Sequence, residues 1–323
     1  MTKTPLVVLG DYAWDVLIRT NTELLQGGDT YGEVLLTPGG SAANVAVWAR
    51  RCGLPTRFIG KIGRDRFGEL AARELDQEGV DAHLVETGAQ RTGSVAVFID
   101  QTGERSMVSG RGADHYLLPS ELPRSKLENT RHLHLTAWSF FTDPPRTAAT
   151  EAARLAKAAR ATLSFDPGSF QLIEEMGVER FLDATTGLGI DLLLPNREEG
   201  SVLTGLEEPA AIADRLAALY PGARVILKLD AEGSHVRWRE ESFHVPPATD
   251  RLIDATGAGD SFAGAFLAAW LKGHGVRESA GFATRVSAWT IERLGARPPL
   301  DDTLDLGLAE GSAGGDSAAA HHR

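Results

Sequence analysis

Three observations predict an α/β fold with a mostly parallel sheet, helices on both faces and a small separate β-sheet. First, short β-rich runs alternate with helix-length segments along most of the chain, the rhythm of α/β proteins. Second, two stretches break that rhythm with strands that have no helix between them. Third, 323 residues with 42% hydrophobic and 24% charged content suit a soluble chain with an ample core. That composition excludes wholesale disorder and a collagen-like or membrane chain.

The elements follow in order. Residues 6–9 (LVVL) form a buried strand. Residues 41–52 form a helix, with Ser41 as N-cap and Gly53 as stop. A short strand over 57–59 and an amphipathic helix over 67–78, ending at Gly79, come next. Further strands lie at 132–135, 162–165, 191–194 and 225–229. Helices over 145–160, 170–183, 197–203 and 210–220 separate them. A β-rich stretch over 234–245 precedes a helix over 259–271. The breaks in the rhythm are strands at 14–19 and 31–36, and a hairpin of 92–100 with 104–109 turning at Gln101-Thr102-Gly103. These strands read as a small sheet that acts as a lid, or else as an edge extension of the main sheet. One domain over 1–308 results, with lid strands inserted at about 13–37 and 92–110. Residues 309–323, rich in Gly, Ala and Ser, read as a disordered tail.

Several partners are argued against. A net charge of −11 disfavours a general nucleic-acid surface. The longest apolar stretch, 262–271, falls short of the roughly 20 residues that span a bilayer. The start shows no signal-peptide pattern, and Cys52 is the only cysteine, so neither an internal disulfide nor a multi-Cys zinc site can form. A cytoplasmic location with no membrane partner is the expectation.

The segment that carries chemistry is 254–262 (DATGAGDSF). Gly257, Ala258 and Gly259 open a helix, whose unpaired N–H groups and dipole make an anion site. Asp260 sits in the first turn beside it. An anion hole next to a carboxylate base is what phosphoryl transfer to a hydroxyl requires. The plain alternative is an N-capping turn with an Asp favoured by the dipole. There is no GxxxxGK[ST] loop and no GxGxxG between a strand and a helix, which disfavours P-loop and dinucleotide-binding readings.

This segment resembles the C-terminal signature of the ribokinase-like carbohydrate kinases, the PfkB family. Gly39-Gly40-Ser41-Ala42-Ala43-Asn44-Val45-Ala46, followed by Ala49 and Gly53, resembles the N-terminal signature. Two signatures in the right order are far more specific than one, and the resemblance covers roughly residues 5–300. It implies a three-layer α/β/α core with a β lid, and an ATP- and Mg²⁺-dependent kinase.

The resemblance also implies roles. Asp260 is the catalytic base, and the N–H groups of Gly257, Ala258 and Gly259 form the anion hole. Gly39, Gly40 and Asn44 bind the acceptor hydroxyls; Asp15 binds sugar hydroxyls, with Asp11 a second candidate. Turn chemistry for Asp11 and lid-surface charge for Asp15 are the alternatives. Asn196 and Glu199 match an N-x-x-E motif that organises Mg²⁺ and phosphates mostly through water; a favourable helix N-terminus is the alternative. Residues 228–234 (KLDAEGS) resemble the nucleotide loop, placing Lys228, Gly233 and Thr256 at the nucleotide, with Asp230 where the family commonly has Gly. Asp254 and Thr256, with the Gly295 region, are a site for a monovalent cation such as K⁺.

Substrate clues are sparser. Arg111 lies near the substrate mouth by the resemblance, where it pairs with an anionic group or with a structural partner. Gly168 and Phe170 stand where sugar-acid and fructose kinases often carry Asn and Arg, which weakens a fructokinase or ketodeoxygluconate kinase assignment. Tyr12, Trp14 and Trp138 are candidates to stack on a sugar or base, although packing is the commoner role. His132 and His134 read as a packed, hydrogen-bonded pair rather than a metal site. The expected activity is phosphorylation of a hydroxymethyl group of a sugar or related polyol. A nucleoside kinase and a non-catalytic sugar-binding protein are the rivals, and a homodimer through the lid is plausible.

Overall fold

Alternate side chains of the first strand enter different cores. Leu6 and Val8 face one, Val7 and Leu9 the other, and all four are fully buried. A strand apolar on both faces needs cover on both faces, and that requirement makes the three layers. The structure, a computed structural model, describes residues 3–99 and 105–308. The turn expected at 101–103 and the tail expected at 309–323 lie outside the described residues.

The chain opens with β1 (Leu6–Leu9), β2 (Ala13–Thr20), β3 (Gly32–Gly39), α1 (Ser41–Arg51), β4 (Thr56–Gly63), α2 (Arg66–Gln77), β5 (Asp81–Thr87), β6 (Gly93–Ile99) and β7 (Arg105–Gly110). It continues through α3 (Arg124–Glu128), β8 (His132–Thr136), α4 (Pro145–Ala158), β9 (Thr162–Asp166), α5 (Phe170–Met176), α6 (Val178–Thr185) and β10 (Leu192–Leu193). It closes with α7 (Arg197–Thr204), α8 (Pro209–Leu219), β11 (Arg224–Lys228), β12 (Ser234–Trp238), β13 (Glu241–Val245), α9 (Ala258–Leu271) and α10 (Val276–Ile291).

The large sheet is nine-stranded, in the order β13-β12-β11-β10-β9-β8-β1-β4-β5. From β5 to β11 every pairing is parallel; β12 and β13 add an antiparallel edge. Helices α1, α9 and α10 supply one core, and α4 and α8 the other. The second sheet is four-stranded, β3-β2-β6-β7, with its own small cluster of Leu17, Val97 and Ile99. It is a separate sheet, as the broken rhythm predicts, and not an edge extension.

The chain winds outward from β1 in both directions, to β4 and β5 on one side and to β8 through β11 on the other. Ligands in such sheets bind beyond the carboxyl ends of the strands, where the winding reverses. Gly10-Asp11, Thr136, Asp166, Asn196 and Lys228 all lie at or just after those ends.

Several local expectations are corrected. The helix expected over 170–183 is two helices, because Gly177 takes φ 88° and stops the first. The strand at 57–59 extends to Thr56–Gly63, paired on both edges by β1 and β5. Gly40, not Ser41, is the N-cap of α1, with φ 86° and no side-chain cap of its own. The cap comes from elsewhere: the Ser41 and Ala42 N–H groups donate to the Asp11 carboxylate at 2.7 and 3.1 Å. Strand β5 and helix α10 are elements that the sequence reading does not single out.

Candidate active site

Two helix N-termini meet over the end of β1. Helix α9 starts at Gly257, in the left-handed region at φ 75°, where a Cβ would stand 2.7 Å from Cα of Ala296. Only glycine fits there. The N–H groups of Gly257 and Gly259 have no hydrogen-bond partner among the described residues, whereas that of Ala258 donates to Ala255 O at 3.2 Å. Of the three N–H groups expected to form an anion hole, two are unpartnered among the described residues and that of Ala258 is taken by Ala255 O.

Asp260, in the first turn of α9, is held from α1. Ser41 Oγ donates to its Oδ1 and Asn44 Nδ2 to its Oδ2, both at 2.7 Å. Burial pushes the Asp260 pKa up to about 6; the bonds from Asn44 and Ser41 oppose that, Asp166 adds to it and Lys228 subtracts. A carboxyl with that value is largely ionised at neutral pH yet basic enough to take a proton. The structure thus joins residues 41 and 44 of one motif to residue 260 of the other.

Asp15 projects from β2 against the backbone of Gly39, where a Cβ would stand 2.5 Å from Asp15 Oδ2. Its carboxylate accepts no hydrogen bond among the described residues. Burial pushes its pKa up to about 7; Arg297 opposes this, and Asp11, Asp260 and Asp254 reinforce it. Asp15 lies within the site's field rather than on an outer lid surface. Asp11 is different: its carboxylate caps α1 from 30 positions away, and Thr136 Oγ1 donates to it at 3.4 Å, so a distant helix start rather than a local turn engages it. Gly40 packs so closely on Tyr12 Cα, 2.7 Å from a notional Cβ, that no side chain fits. Asp114, just beyond β7, adds another acidic group: burial and then the charge of Asp11 push it up to about 7.

Asn196, Glu199 and Lys228, expected at the nucleotide, lie at or just after the ends of β10 and β11. Asn196 caps α7 and forms a reciprocal pair with Glu199: each backbone N–H donates to the other side chain at 2.8 Å. Glu199 is buried, and burial, reinforced by Asp166, pushes its pKa up to about 8 while Lys228 opposes. Lys228 Nζ donates to Asp166 Oδ2 at 2.7 Å. It also lies 3.0 Å from where a Cβ on Gly259 would be, so its ammonium borders the start of α9. Burial alone would lower the Lys228 pKa, but Asp166 and Glu199 outweigh it and raise it. Gly233 turns at φ 87° against Val245 O, and Asp230, where Gly is usual, takes φ 50°, a region Asp tolerates better than most. Asp254 accepts from Thr256 N at 2.9 Å and from Gly295 N at 2.8 Å, tying the loop before α9 to the turn after α10.

The remaining candidates stand outside this hydrogen-bonded network. Arg111 is exposed and has no ion pair among the described residues. Tyr12 and Trp14 are core residues: Tyr12 OH donates to Glu74 Oε2 at 3.2 Å, and Trp14 Nε1 to Phe67 O at 3.0 Å. Trp138 remains half-buried, edge-on to Phe141. His132 and His134 are fully buried and share Ser164 Oγ at 2.7 Å, the packed pair expected. Two residues lack any motif signal. Arg297 donates to Asn44 Oδ1 and Glu74 Oε2, both at 2.7 Å. The available hint was Glu74, a charge on the apolar stripe of Phe67, Leu70, Ala71 and Leu75.

The paired helix starts around one carboxylate suit phosphoryl transfer, and comparison with known proteins gives the class. Residues 3–303 match the pfkB family carbohydrate kinase family, and the chain belongs to it. It is 31% identical over 277 residues to a fructokinase of Klebsiella pneumoniae, covering 84% of this chain and 86% of the relative. It is 30% identical over 306 residues to an ATP-dependent ribose-1-phosphate kinase of Halopiger xanaduensis, covering 93% and 97%. A putative ribokinase II from E. coli, solved in complex with ATP and Mg²⁺, superposes with a TM-score of 0.79 at 23% identity, over 92% of this chain and 94% of that one. The fold is the ribokinase-like one, and the protein is a carbohydrate kinase. Among the described residues no helix is long and apolar enough to cross a membrane.

Proposed function

We propose that the protein transfers the γ-phosphoryl group of ATP to a hydroxymethyl group of a sugar or related polyol, with Asp260 as general base. The observation that carries this is the Asp260 carboxylate, half-buried and oriented by Ser41 and Asn44 beside the free N–H groups of Gly257 and Gly259. Asp260 takes the hydroxyl proton as the oxygen forms its bond to phosphorus. The bond from phosphorus to the bridging oxygen breaks, and ADP leaves with the electron pair. The Gly257 and Gly259 N–H groups and the Lys228 ammonium stabilise the charge on the phosphoryl oxygens. Once a ligand reorients its peptide, Ala258 completes the hole. Asp15 and the Gly39-Gly40 backbone hold the acceptor's hydroxyls, while Asn44 serves the base.

Mg²⁺ is ordinarily held by one or two carboxylates, substrate phosphates and retained waters. Among the described residues no group of three or more His, Cys, Asp or Glu gathers to cage a metal, and the carboxylates of Glu199 and Asp166 fit the looser arrangement. Bound there through water, Mg²⁺ would neutralise charge on the phosphates. The ATP and Mg²⁺ of the E. coli structure support these two as the cofactors. Lys228, Gly233 and Thr256 contact the nucleotide in this reading. A monovalent cation such as K⁺ belongs at Asp254 and Thr256, and Arg111 faces the acceptor's outer end.

The small sheet presents Val34, Leu36, Met107 and Val108 to solvent, which supports a homodimer through it, tested by sedimentation. The function is tested by supplying Mg-ATP with pentoses, hexoses, sugar acids, sugar phosphates and nucleosides, in K⁺ and in choline salts. Phosphorus NMR of the product must show a phosphate ester on a hydroxymethyl carbon of a sugar. Phosphorylation of nucleosides alone would replace this reading with the nucleoside one, and ligand binding without transfer would leave a sugar-binding protein.

A further inference from the structure

Arg297 follows Gly295 and Ala296 after α10, and its side chain is 1% exposed. Every polar atom of a guanidinium is a donor. Here Nε donates to Asn44 Oδ1 at 2.7 Å, Nη1 to Glu74 Oε2 at 2.7 Å and Nη2 to Gly39 O at 2.9 Å. Its Cζ lies over the Tyr12 ring, 5.4 Å from the centroid, and the Tyr12 hydroxyl shares Glu74 Oε2.

An amide has one accepting end and one donating end. Against a guanidinium only the oxygen of Asn44 can face inward, because a flipped amide would set N–H against N–H in a buried place. The NH₂ end is then left for Asp260 Oδ2, 2.7 Å away. We infer that Arg297 is a positioning residue for the base: it locks the Asn44 amide so that only Nδ2 can meet Asp260, and Glu74 and Tyr12 lock Arg297. This rests on the reading of Asp260 as the base.

The locked amide holds Asp260 in its ionised form, against the burial that favours the protonated one. Charged groups reach Asp260 from three other elements: Asp166 of β9, Lys228 of β11 and Asp15 of β2. Arg297 lowers the Asp15 pKa, so its loss leaves Asp15 more protonated, which by itself would lower the Asp260 midpoint; a rise there reports the amide.

The test labels aspartate side-chain carboxyl carbons with ¹³C and titrates them by NMR, with Asp260 assigned by the signal lost in Asp260→Asn. The variant Arg297→Met/Glu74→Gln removes both charges of the buried pair together, so net charge is unchanged. The Asp260 midpoint is expected to rise by about one pH unit, as loss of an oriented hydrogen bond to a carboxylate does. A midpoint within about 0.2 units of the parent's overturns the inference, since a lost orienting bond moves a pKa by more. Glu74→Gln alone keeps the Arg297–Asn44 bond and is expected not to raise the midpoint; an equal rise there also overturns it. Should the double variant fail to fold, Arg297→Lys keeps the charge but not the fork and is expected to give a smaller rise; no rise overturns the inference. Substantial turnover by Asp260→Asn would instead remove the base reading and leave the titration result standing.

Discussion

Ser41 Oγ donates to Asp260 Oδ1 at 2.7 Å, across 219 positions of the chain. This bond, with its Asn44 counterpart, ties the start of α1 to the start of α9. It brings the two sequence signatures to one carboxylate.

The first prediction is a pH profile. Burial places the Asp260 pKa at about 6, and the base acts only when ionised. Turnover at saturating substrates is expected to fall as pH drops through about 6, by roughly tenfold per unit below it. A profile flat from pH 5 to 8 would contradict the assignment.

The Asp15 carboxylate accepts no hydrogen bond among the described residues, so its oxygens are open to acceptor hydroxyls. Asp15→Ala is expected to raise KM for the acceptor by about 10- to 100-fold, the worth of one or two hydrogen bonds to a charged group. KM for ATP should change little. Steady-state kinetics with each substrate varied in turn decide this; an effect on ATP alone would move Asp15 out of the acceptor site.

Much of the site was legible because its signals are local. A glycine-rich helix start with Asp in its first turn marks Gly257, Gly259 and Asp260 from sequence alone. The separate small sheet was legible from strands that lacked a helix between them. What escaped depends on contacts between distant segments. Ser41 has the chemistry of an N-cap, but Asp11 reaches α1 from the end of β1 and takes that role, which frees the Ser41 hydroxyl for Asp260. Arg297 and Glu74 lie 223 positions apart, and only Glu74, on an apolar stripe, hinted at a buried partner. Tyr12 and Trp14 have the chemistry of stacking platforms, yet packing claims both.

Lys228 and Asp166 form a buried pair at 2.7 Å, with side chains 12% and 6% exposed. Lys228→Met strands the Asp166 charge, with Glu199 beside it. Stability is expected to fall by about 3–5 kcal/mol, the cost of breaking a buried pair from one side. Lys228→Met/Asp166→Leu should recover much of that stability while remaining impaired in turnover. Urea unfolding of both variants measures the difference, and equal stability of the single variant and the parent would contradict the pairing.

Stability should also depend on pH with a definite sign. Burial raises Asp15 to about 7 and Glu199 to about 8, whereas unfolded carboxyls titrate near 4. Between those limits the folded state holds more protons, so these groups make stability fall as pH rises. Buried His132 and His134, lowered in the fold, act oppositely, but only up to about 6.5, the unfolded histidine value. The net expectation is a lower urea midpoint at pH 8.5 than at pH 6.5, with a shallower fall in Asp15→Asn and in Glu199→Gln. A midpoint that rises across this window would show that these carboxyls are not raised.

The most direct test of the central claim compares ADP release from Mg-ATP by the parent and by Asp260→Asn, on the acceptor that stimulates the parent most. Loss of the base is expected to lower turnover by about 10²- to 10⁴-fold while ATP still binds and the fold persists. Asp260→Asn turnover within a few-fold of the parent's would contradict the claim that this carboxylate is the base.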